Sequence, residues 1–149
     1  MNKPKAIRAI YMSNTFTLDP RLEAESFPLG RLKLCEARLF NDARFPWLIL
    51  VPACAGLVEI IDLDAAEQTV LLDDMIVASR MLKAATKCHK LNVAALGNQV
   101  RQLHVHVIAR FEGDAAWPNP VWGFAARVPY ERQAAAKFTE RLKATMGFH

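Results

Sequence analysis

Residues 102–110 read Q-L-H-V-H-V-I-A-R, and no other stretch restricts the fold as tightly. Side chains on a β-strand point alternately to opposite faces. As a strand, this segment places Gln102, His104, His106 and Ile108 on one face and Leu103, Val105, Val107 and Ala109 on the other. The second set is a core-facing stripe and the first is polar. The segment therefore reads as the longest strand of a sheet, burying one face and presenting two imidazoles on the other.

The surrounding patterns fit a sheet flanked by helices. Residues 32–40 and 47–51 are apolar runs on either side of N-D-A-R-F-P, which has the composition of a hairpin loop. Residues 58–61 (V-E-I-I) predict a further short strand, and residues 92–96 another, followed by a G-N-Q turn. Leu71, Met75, Ala78, Leu82 and Ala85 repeat at helical spacing, which predicts an amphipathic helix from Asp64 to about Lys90. Asp62 or Asp64 suits its start, and Lys83, Lys87 and Lys90 suit the negative end of its dipole. A second helix is expected over residues 131–146, whereas residues 1–30, interrupted by Pro4, Pro20, Pro28 and Gly30, read as irregular. Hairpins with segregated helices predict an α+β fold with a mainly antiparallel sheet. The 149 residues suit one domain spanning 1–149, without repeat or linker.

Composition removes several classes of function. No run approaches the ~18 apolar residues of a membrane span. The N-terminal residues lack the apolar core and cleavage site of a secretory signal, so a cytoplasmic location is expected. The net charge of +4 is spread without a cluster of basic and aromatic residues. Such a charge agrees with anionic small ligands and argues against a nucleic-acid surface. Cys35, Cys54 and Cys88 show no C-x-x-C spacing and read as reduced, apolar thiols.

Three roles are open to the histidine pair on its own residues. They are plain sheet residues satisfied by their neighbours; or two ligands of a zinc site completed by Cys88, His89, Glu112 or Asp114; or a pair that transfers a phosphoryl or nucleotidyl group. On a strand their Cα atoms lie roughly 6.6 Å apart, so both rings can touch one phosphate. One ring would attack phosphorus while the other donates a proton or steadies the oxygens.

The run Gln102-Leu103-His104-Val105-His106-Val107-Ile108 resembles the signature of the histidine triad superfamily, which alternates three histidines with apolar residues. The hairpin A-R-L-F-N-D-A-R-F-P-W-L-I-L-V-P, the long helix and L-N-V-A-A-L-G-N precede it in the order that superfamily uses. W-P-N-P-V-W-G, residues 117–123, resembles a bacterial branch described as dinucleoside polyphosphate hydrolase-like. The resemblance covers roughly residues 15–125, followed by the C-terminal helix. It implies a five-stranded antiparallel sheet with flanking helices, usually in a homodimer. It also implies attack by the middle histidine on the α-phosphorus of a purine nucleotide ester, anhydride or phosphoramidate, with no cofactor or metal required.

Carried over, His104 is the nucleophile and His106 contacts the phosphate or leaving group. Gln102 stands at the first histidine position, where an amide can orient neighbours but cannot carry charge. A further histidine common after valine-proline is replaced around Ala55. Asn41 takes the position that holds ribose, and Asn98 and Gln99 the position that contacts phosphate. A tight turn at Gly97-Asn98 would leave Asn98 roughly 20 Å from His104, whereas a loop over 97–101 folding back brings it within reach. Trp117 and Trp122 are candidates for stacking on a base or for anchoring a loop. Arg110 is expected to meet solvent or a carboxylate, and His89 to be a solvated residue on the long helix.

Overall fold

In the computed structural model, which describes residues 16–146, one antiparallel sheet of five strands runs in the order β1-β2-β3-β5-β4. Its strands are β1 (Ser26–Arg31), β2 (Cys35–Phe40), β3 (Trp47–Pro52), β4 (Lys90–Ala94) and β5 (Val105–Arg110). The helices are α1 (Pro20–Ala24), α2 (Ala65–Thr86) and α3 (Arg132–Met146). This is the expected α+β architecture with its predicted hairpin, long helix and C-terminal helix.

Helix α2 begins where the sequence predicts. The Asp64 side chain accepts from Glu67 N–H, and Glu67 returns a bond to Asp64 N–H, so two orphan donors are satisfied reciprocally. The helix stops at Thr86 rather than Lys90, because Lys87 turns into the left-handed conformation at φ 56°. Leu71, Ala78, Leu82 and Ala85 are buried against one sheet face, where they meet Leu103, Val105, Val107 and Ala109. Each fully buried leucine or valine in this layer contributes ~1.5–3 kcal/mol. Buried Asp74 ties α2 to the β1–β2 turn by accepting from Leu34 and Cys35 N–H at 2.8 and 2.9 Å.

Four expectations need correction. Residues 16–31 are not irregular: Asp19 caps α1 by accepting from Arg21 N–H, Pro20 opens that helix, and β1 follows. Pro28 and Gly30 are tolerated in β1 because it is an edge strand, with a register shift between them. The rest of that expectation, residues 1–15, lies outside the described residues. Residues 58–61 do not form a strand: Asp62 takes the N–H groups of Val58 and Glu59, and Ile60–Asp62 make a 3-10 turn. His89 lies beyond the end of α2, exposed, with its Nδ1 accepting from Glu112 N–H.

The fourth correction concerns the histidine strand. Its ladder starts only at Val105, so at six residues it is no longer than β1, β2 or β3. Its polar face is also buried. Trp47, Ile49, Val51 and Ile108 lie on that side and are covered by Leu22, Phe45, Ala116 and Val121 in a second apolar cluster. His104 and His106 keep only 7% of their surface exposed. The face reads as polar in sequence, but α1 and the 111–123 segment roof it over.

Candidate functional site

His106 belongs to β5 and pairs with Ile49 of β3, two residues from Trp47 on the same face. The Trp47 indole N–H donates to His106 Nδ1 at 2.9 Å. An indole only donates, so that nitrogen is unprotonated and the neutral ring carries its proton on Nε2. Burial, with a smaller contribution from neighbouring His104, lowers the His106 pKa to about 3. His106 is thus a neutral Nε2–H donor.

His104 has the opposite tautomer. Its Nδ1 lies 2.7 Å from the backbone oxygen of Gln102, which can only accept. Nδ1 carries the proton, and the Nε2 lone pair is left for a ligand. The two rings meet edge to face, with centroids 4.9 Å apart. Side by side stand a nucleophilic nitrogen and a neutral donor.

Both rings line a cleft of about 260 Å³, together with Leu22, Glu25, Phe40, Trp47, Ile49, Trp122 and residues 96–100. Asn98 and Gln99 are in this wall, because residues 95–104 fold back over the sheet as a loop instead of closing a tight turn. Gly97, at φ +70°, makes that return possible. A second recess of about 280 Å³, walled by residues 58–61, Leu96 and Leu103, meets the cleft at His104.

The other sequence candidates fall in different places. The Gln102 side chain does not face the cleft: its amide donates to Thr17 O at 2.9 Å and accepts from Asp19 N–H at 2.8 Å. Asn41 is also outside the wall, and its Oδ1 accepts from Tyr130 N–H at 2.8 Å. Trp122 forms a wall, its ring centroid 5.3 Å from that of His106, and its Nε1 is buried without a hydrogen-bond partner among the described residues. Trp117 instead packs under the Arg110 guanidinium. Arg110 meets the expected carboxylate, Asp114 at 2.8 Å, but deep in the protein and not in solvent.

Among the described residues, no three His, Cys, Asp or Glu side chains converge as a metal-binding group. Asp114 is held by Arg110, and the His89 ring is turned to Glu112 N–H. The pattern reading missed Trp47, Leu22 and Glu25. Trp47 carried a usable signal, since a tryptophan in a buried strand needs an acceptor for its N–H.

Comparison with known proteins agrees with this geometry. The HIT domain model matches residues 21–113. The chain belongs to the histidine triad (HIT) family. A histidine triad protein from Sinorhizobium meliloti is 49% identical, with a TM-score of 0.85 over 87% of this chain and 96% of that one. One from Bradyrhizobium japonicum is 45% identical at TM-score 0.85, over 88% and 98% of the two chains. A third, from Marinobacter aquaeolei VT8, is 42% identical at the same score, over 89% and 96%. No curated protein matches the sequence significantly. HIT proteins generally bind nucleotides, and among the described residues no helix of this one is long and apolar enough to cross a membrane.

Proposed function

We propose that this HIT protein is a nucleotide hydrolase or nucleotidyl transferase acting on a phosphoanhydride or phosphoramidate. The observation that carries the reading is the opposed tautomers of the two histidines, one fixed by the Gln102 carbonyl and the other by the Trp47 indole. His104 Nε2 attacks the α-phosphorus, and the bond to the leaving oxygen or nitrogen breaks. His106 Nε2–H donates to a phosphoryl oxygen or to the departing group. The positive charge that develops on His104 is steadied through Nδ1–H by the Gln102 carbonyl. Water then attacks the nucleotidyl-histidine and releases the nucleoside monophosphate.

Among the described residues the cleft wall holds no Lys or Arg, and the neutral donors near the histidines include His106, Asn98 and Gln99. That composition favours a ligand with one phosphoryl group at the reacting centre over a long polyphosphate, because several adjacent charges would meet no cation among these described residues. A dinucleoside polyphosphate therefore ranks below a purine nucleoside phosphoramidate or mixed anhydride as substrate. Release of nucleoside monophosphate from both substrate types, by wild type and His104→Ala, tests this reading. Full turnover by the variant overturns it.

A second reading, a nucleotide-binding module with little turnover, is favoured by Gln102 at a position the family fills with histidine. Tight nucleotide binding by calorimetry without turnover would establish it. We also propose a cytoplasmic homodimer. Leu72 and Ile76 on α2 and Val93 on edge strand β4 are exposed together and suit a second copy of the same face.

A further inference from the structure

We infer that Glu25 determines specificity for the nucleoside by accepting from two adjacent hydrogen-bond donors on it, an inference that rests on the nucleotide reading of the same cleft. Glu25 caps the C-terminus of α1. Its backbone N–H donates to Arg21 O, and its carbonyl accepts from Asn41 N–H at 2.9 Å, so its main chain is fixed at the end of β2. The residue lies in the cleft wall with Leu22 and Phe40 and is half-buried.

The Glu25 carboxylate makes no hydrogen bond or ion pair among the described residues. Its polar neighbours in sequence and across the sheet are already engaged. Asn41 Oδ1 accepts from Tyr130 N–H, the Asp42 carboxylate holds Arg44, and the Arg38 guanidinium donates to Ser26. A partly desolvated carboxylate without a partner is costly, and the cost is lifted when a ligand brings donors. Two parallel donors match its two oxygens best. A nucleoside offers this chemistry in two places: the 2′,3′-hydroxyls of ribose, and the N1–H and amino edge of guanine.

The placement also gives the ligand a direction. Strand β2 lies two strand spacings from β5, roughly 10 Å across the sheet. Neutral donors surround the histidines at one end, and an anion stands at the other. A phosphate is repelled from the Glu25 end and received at the histidine end, so the nucleoside extends towards Leu22, Phe40 and Glu25.

Calorimetry with AMP, GMP and 2′-deoxyAMP on wild type, Glu25→Ala and Glu25→Gln tests the inference. The carboxylate makes no hydrogen bond or ion pair among the described residues, so both variants should unfold at or slightly above the wild-type temperature. Glu25→Ala is expected to weaken the preferred nucleotide by roughly tenfold to a hundredfold. If ribose supplies the donors, wild type prefers AMP to 2′-deoxyAMP and the variant loses that preference. If guanine supplies them, wild type prefers GMP to AMP and that preference disappears instead. Glu25→Gln, which keeps the shape without the charge, should follow Glu25→Ala. Unchanged affinities, an equal loss for all three nucleotides, or wild-type behaviour of Glu25→Gln overturns the role of Glu25. Wild type binding none of the three would overturn the nucleotide reading itself.

Discussion

Trp47 and His106 are joined across adjacent strands by an indole N–H that donates to the imidazole Nδ1 at 2.9 Å. This bond assigns the His106 proton to Nε2, on the side available to a ligand. Trp47→Phe keeps an aromatic in the wall but frees the tautomer. Steady-state kinetics should then show kcat lowered about tenfold or more, with a smaller change in KM. Nitrogen NMR should show His106 shifting from a single neutral tautomer to a mixture. Unchanged kcat and tautomer would mean that the indole bond is only packing.

The low His106 pKa has a defined consequence for stability. Its folded value, about 3, lies below the ordinary value of 6.5. Between these values the unfolded chain holds a proton on this ring and the folded chain does not, so acid favours unfolding. The contribution is fully present above ~6.5 and is lost as the pH falls towards 3. Thermal midpoints should therefore decline over that range, and NMR should show no His106 titration from about pH 5 to about pH 8. Because an N–H aimed at Nδ1 opposes protonation there, Trp47→Phe should raise the pKa. A wild-type His106 that titrates near 6.5 would contradict its burial as a neutral donor.

Much of this was legible in sequence because it depends on short-range patterns. Alternation at 102–110 gave the core stripe Leu103, Val105, Val107 and Ala109, and helical spacing gave the buried face of α2. The pairing of histidines on one side follows from the same alternation. What escaped depends on partners distant in the chain. The Gln102 amide bonds to residues 83 and 85 positions away, and the His106 partner Trp47 is 59 positions away. The burial of the histidine face comes from α1 and the 111–123 segment, neither of which has a periodic signature. Residues 58–61 have strand composition, but Asp62 captures the N–H groups a strand would have offered to a neighbour.

Gln102 separates two jobs. Its backbone oxygen fixes His104, whereas its side chain ties down Thr17 and Asp19 ahead of α1. Gln102→Ala removes only the tie and should cost about 1–2 kcal/mol of stability, measured by chemical unfolding. Because α1 carries Leu22 into the cleft, KM should rise while kcat stays within a few fold of wild type. A collapse of kcat with unchanged KM would instead give the amide a part in the chemical step.

Arg110 and Asp114 are paired at 2.8 Å with side-chain exposures of 2% and 6%. The guanidinium also donates to Asn92 Oδ1 and Asn119 O, and its presence holds the Asp114 pKa down to about 2. Asp114→Ala leaves a buried cation without its counter-charge and should cost ~3–5 kcal/mol. The loop carrying Trp122 should loosen with it, seen as faster amide exchange over residues 111–123. A loss below ~1 kcal/mol would show that the pair is replaced by water.

The most direct measurement is intact-protein mass spectrometry after brief incubation with a purine nucleoside phosphoramidate. Wild type should gain the mass of one nucleotidyl group, located on His104 by peptide mapping, and His104→Ala should gain none while remaining folded. An adduct on another residue, or full turnover by His104→Ala, would contradict a nucleophilic His104.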